Sequence, residues 1–119
     1  MLKTKPDRIE IGKGGRAVLF SYAHVVGAAS DDPENAPTLS AVYNTIAVSP
    51  DDVAVRLPPI LDAGQVVWVL NHVNSCPCHV YATPPDTFPN EPDYIAVDAA
   101  AGRGFVAINP GGQKLWLPI

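Results

Sequence analysis

Residues 55 to 82 read VRLPPILDAGQVVWVLNHVNSCPCHVYA, and this stretch decides the fold class. Between Gln65 and Asn71 lie only Val, Trp and Leu, with Val at three of the five positions. Such β-branched and aromatic material at strand length predicts a segment paired at the centre of a sheet or buried on both faces. Asn71 to Pro77 supplies turn residues, and His79 to Ala82 begins a second apolar strand, so the two segments read as a hairpin across a short polar link.

The same grammar extends in both directions. The chain holds 13 prolines in 119 residues, spaced so that no long helix fits after Pro33, because proline removes a backbone donor and clashes with the preceding turn. Between them lie apolar segments of strand length. Towards the N-terminus, Val53 to Leu57 is a strand stopped by Pro58-Pro59, and Thr38 to Val48 is a strand with a kink near Asn44. Gly27 to Pro37 reads as an acidic loop. Arg16 to Val26 reads as a strand, with a short helix as the alternative, and Arg8 to Ile11 as a short strand before the Gly12 to Gly15 turn. Residues 1 to 7 look like an arm. Towards the C-terminus, Thr83 to Asp93 is a rigid irregular link, Tyr94 to Val97 and Gly104 to Ile108 are strands, and Lys114 to Leu117 closes the sheet. The expected fold is all-β, a small antiparallel sandwich or barrel with an N-terminal arm. Residues 1–40 form an arm and extension and 41–119 the β-domain, together one compact unit by size.

Bulk numbers narrow the function. The hydrophobic fraction is 47% and the formal net charge is -4, from 8 Lys and Arg against 12 Asp and Glu. Scattered basic residues on an acidic chain carry no electrostatic footprint for nucleic acid. No apolar run approaches the ~18 residues of a membrane helix. MLKTKPDR has no apolar stretch behind its charges, so a cytosolic origin without a secretory signal is expected.

His72, Cys76, Cys78 and His79 are the one cluster with ligand chemistry, since thiolate and imidazole both bind zinc. Structural zinc sites, however, present a close Cys pair and a second, distant pair. Here all four residues fall within eight positions and Pro77 stiffens the link, so small turn cysteines and a solvent-facing histidine are expected instead. A Cys76–Cys78 disulfide would be strained. Asp31, Asp32, Asp51, Asp52, Asp86 and Asp93 sit in turn contexts, where local backbone hydrogen bonds account for them. Gly12 to Gly15 lacks the spacing of a phosphate loop, and no nucleophile has a local signature. Trp68, Trp116, Phe105 and Tyr81 read as core or subunit-interface aromatics. No catalytic residue, cofactor or metal is expected.

The order of residues from position 41 onward carries a resemblance. Leu57-Pro58, Gly64, Val67, Val69 and Asn71 are followed by Val80-Tyr81, Asp86 and Asn90. Ala101-Gly102, Phe105, Gly112-Gln113 and Trp116 complete the series. In this the chain resembles a small β-domain that recurs in structural proteins of tailed bacteriophages, in head decoration proteins, head fibres and tail-fibre modules. The resemblance implies a β-sandwich or barrel, often trimeric, with no catalytic residues. It implies a non-enzymatic virion protein, a decoration or cement protein on the head exterior, whose partners are the major capsid protein or another virion protein. A neck or tail-fibre adaptor is the alternative from the same class, and a small metal-binding, cupin-like barrel using His24, His72 and His79 is the alternative from another. Neither nucleic acid nor membrane is an expected partner. The partner-contact candidates are Lys3, Lys5 and Arg8 in the arm and Asp31, Asp32 and Glu34 in the acidic loop.

Overall fold

The computed structural model of the chain describes residues 21–30, 32–46, 52–71 and 76–119. Its nine strands are β1 (Tyr22–Val25), β2 (Ala28–Ala29), β3 (Tyr43–Ile46), β4 (Val53–Arg56), β5 (Val66–Asn71), β6 (Cys78–Tyr81), β7 (Ile95–Val97), β8 (Ala101–Ile108) and β9 (Leu115–Pro118). They form two sheets. One has the order β1-β3-β5-β8-β9 and the other β2-β4-β6-β7. The all-β expectation and the two-layer arrangement therefore hold, and β5, the Val-rich segment, is the central strand of the larger sheet. The strand expectations at 8–11 and 16–20 lie outside the described residues.

Two expectations are corrected. The sheets are mixed rather than antiparallel: β1, β3 and β5 run parallel to one another, as do β4 and β6. From β1 to β6 the chain changes sheet at every connection, so successive visits to a sheet can arrive in the same direction. The second correction concerns β5 and β6, which do not form a hairpin. β5 pairs with β3 and β8, whereas β6 pairs with β4 and β7 in the opposite sheet. Their apolar residues meet across the core instead of side by side. The helix alternative for residues 16–26 fails where the structure describes it, at β1. The loop at 27–37 holds the two-residue strand β2 and a 3-10 turn at Pro33–Asn35.

Alternation explains which residues face inward. On β5, Val67, Val69 and Asn71 are buried while Val66, Trp68 and Leu70 are half-buried, and β3 and β6 alternate in the same way. The inward residues form one cluster, with Leu39, Ile46, Val55, Leu57, Val69, Val80, Phe88, Phe105 and Trp116 among its members. Phe88 and Phe105 meet at 6.1 Å between ring centroids. Gly64 opens β5 at φ 95°, a left-handed backbone that side chains disfavour, and its N–H reaches the Ala107 carbonyl at 2.8 Å.

Three buried polar side chains fix the connections. The Asn71 amide donates to the carbonyls of Cys76 at 2.9 Å, Val97 at 3.0 Å and Asp98 at 3.2 Å. Asn71 belongs to the larger sheet and Val97 to the smaller, so this one side chain ties the layers where the chain crosses over. Asn44, at the expected kink, donates to Ala41 at 2.8 Å and to Trp68 at 3.2 Å. Asp86 accepts the Ile60 N–H at 2.7 Å and pins the proline-rich link 83–93 against Pro58-Pro59. Its bond spans 26 residues, so the local-turn reading of this aspartate is replaced by a long-range one.

Candidate interaction surface

The acidic loop is built onto the smaller sheet. The Arg56 guanidinium donates to the Pro33 carbonyl at 2.7 Å, and backbone bonds Arg56 N–H to Pro37 and Leu39 N–H to Arg56 continue the attachment. Asp32 accepts a bond from the Asn35 amide at 2.7 Å, within the 3-10 turn. Asp32 and Glu34 are exposed, on a turn held to β4 from beneath. Lys3, Lys5, Arg8 and Asp31 lie outside the described residues.

The Cys and His candidates separate. Adjacent strand residues point to opposite faces, so Cys78 enters the core opposite Val53 and Val97 while His79 turns outward between Ala54 and Ala96. Cys78 is fully buried and Cys76 half-buried, and neither is in a disulfide. His72 lies outside the described residues. His24, on the outward side of β1, bonds Thr45 Oγ1 at 2.7 Å on the neighbouring strand β3 of the same sheet. His24 and His79 thus lie on opposite outer faces of the sandwich, which is not the convergence that a cupin-like site requires.

Burial pushes the Cys78 thiol up to about 12 from its ordinary 9.0. The folded chain therefore holds this group neutral over a range where the unfolded chain ionises it. Stability is unaffected below pH 9 and should fall at about 1.4 kcal/mol per pH unit above it, until the folded thiol itself titrates. Urea midpoints taken at pH 8 and pH 10.5 should separate more for the parent than for Cys78→Ala. An equal alkaline loss in both chains would remove the thiol as its cause.

Around His79 the outer face of the smaller sheet carries an aromatic group that the sequence reading did not assemble. The rings of His79 and Tyr94 stack with centroids 4.1 Å apart and planes 10° from parallel. Tyr81 meets Tyr94 at 5.5 Å with a 46° tilt. His79 Nε2 stands 3.5 Å from an Asp52 carboxylate oxygen. Burial, with the neighbouring Tyr94 and Asp93, raises the Tyr81 phenol above its ordinary value, so it remains a neutral donor. The signal for this group was the pairing of β6 with β7, which sets Val80 opposite Ile95 and brings Tyr94 beside Tyr81. An aromatic patch with carboxylates at its border is the composition of a protein-contact surface. It shares the smaller sheet with the attachment of the acidic loop.

No family model matches the sequence, and no curated protein matches it.

Proposed function

We propose that this chain is a non-enzymatic structural protein of a bacteriophage virion, a decoration or cement protein that binds the head exterior. The observation that carries this reading is the ordered series from Leu57 to Trp116, whose members hold posts that a binding scaffold needs. Leu57, Val67, Val69, Val80, Phe105 and Trp116 form core. Asn71 and Asp86 anchor the connections, and Gly64, Asn90 and Gly112 take left-handed backbone at turns. The contact-capable groups stand outside this framework: the acidic turn at Asp32 and Glu34, and the Tyr81–Tyr94–His79 patch. The physical logic is avidity, since several modest contacts repeated on a lattice give firm attachment without one large interface.

The test is co-sedimentation with purified heads that lack the protein. The full chain should pellet with the heads, and a chain without residues 1 to 7 should pellet less, because the arm with Lys3 and Lys5 contributes contacts. Failure of the full chain to pellet refutes the head reading. Equal pelleting of both chains refutes the arm's role alone.

A further inference from the structure

The outward face of the five-stranded sheet departs from the polar character such a face usually has. Strand register sets Tyr22 beside Tyr43 and Tyr43 beside Trp68, with the last two rings nearly parallel at 6.4 Å. Val106 and Leu117 pair on the same side, and the Ile119 N–H bonds the Gly104 carbonyl beyond Trp68. Tyr22 is 58% exposed, Leu117 37% and Ile119 56%. Among the described residues, the outward positions of these five strands carry no Lys, Arg, Asp or Glu.

The surface is also levelled. A Cβ at Gly104 would lie 2.9 Å from the Trp68 ring, and one at Gly102 would lie 2.7 Å from Leu70. Two glycines in one strand therefore let Trp68 and Leu70 lie down across β8 instead of standing up from the sheet.

We infer that this face is where two copies of the chain meet, stacked about a two-fold axis. Two observations favour a second copy over another occupant. A level apolar face is complementary to itself, and pleated faces pack at about 10 Å separation without needing matched pockets. A chain of net charge -4 repels its own copies, and this face is free of the acidic side chains that would concentrate the repulsion. The area sets the strength of the contact. Five strands ~4.8 Å apart and four to six residues long give roughly 400 Å² in projection, about half of the ~800 Å² that each partner of a stable pair contributes, which makes this a reversible, concentration-dependent association. This inference goes beyond the capsid reading and does not depend on it, because it is measured without any particle.

The test is the mass of the purified chain by sedimentation at a few tens of micromolar. A mass of twice 12.6 kDa is expected for the parent. Leu117→Lys with Ile119→Lys should weaken assembly at least about tenfold, since each buried charge lacks a partner. Ala96→Lys, on the opposite sheet, should leave it intact. Should the double variant misfold, Ile119→Lys alone at the chain's exposed end carries the test. Iodide quenching gives a second reading: Trp116 is fully buried, so Trp68 reports the face, shielded in the assembly and quenched in the variant. A parent chain of monomer mass overturns the inference, as does assembly indifferent to lysine on this face. A monomer with Trp68 shielded overturns it in favour of residues 1–20 as the cover.

Discussion

Trp116→Ala is expected to cost about 3–5 kcal/mol, a third or more of the stability of an ordinary domain this size. Trp116 is fully buried on β9 and stands opposite Ala107. Its backbone N–H also bonds the Thr87 carbonyl at 2.9 Å, so the strand carrying it holds the proline-rich link in place. Truncation leaves a void between the sheets that a close-packed interior refills only in part. Trp116→Phe should cost far less. The indole N–H is buried without a hydrogen-bond partner, and its removal offsets part of the lost contact. Urea unfolding of the two variants checks the ordering. Equal losses would contradict the void as the source of the cost.

Asn71→Ala should lower stability by about 2–3 kcal/mol, because it strips the donor from three carbonyls at the crossover between sheets. Asn71→Asp should cost more. A carboxylate there would face those carbonyl oxygens with no proton to offer, in a site 1% exposed. Both burial and the carbonyls raise the pKa of the introduced acid in the folded state. Its deficit should therefore be full at neutral pH and shrink as pH falls through that raised value and the acid regains a proton. Denaturant midpoints for the two variants between pH 7 and 4 decide the matter; a deficit constant with pH would contradict the clamp geometry.

Strand positions were readable because β-branched runs and proline spacing are local properties. Residues 66–71, 53–57, 94–97 and 114–117 all fall on strands or within a residue of them. Pairing was not readable. Alternating Val67 and Val69 with alternating Cys78 and Val80 suits a hairpin as well as two strands facing each other across a core. What separates the cases is the Asn71 amide, which binds groups both five residues and 26–27 residues away. In the sequence Asn71 is only a turn residue. The parallel pairs followed from the same blind spot, since direction depends on which sheet each connection reaches.

The candidate surface was legible in fragments. Glu34 and Asp32 were named from composition, and the structure puts both on an exposed turn. Tyr94 was read only as the start of a strand, and its stacking on His79 needed the β6–β7 register. The apolar character of the outer face was half visible in the near-continuous apolar run of β5. Its levelling by Gly102 and Gly104 required the β5–β8 ladder, in which Leu70 opposes Gly102 and Trp68 opposes Gly104.

The central claim, attachment to a repeating surface through outer contacts, is tested most directly by the number of copies bound per head at saturation. The account predicts on the order of hundreds, one set for each lattice site. About a dozen or fewer would move the protein to the neck or tail, and a chain that leaves heads bare at every concentration would contradict the account.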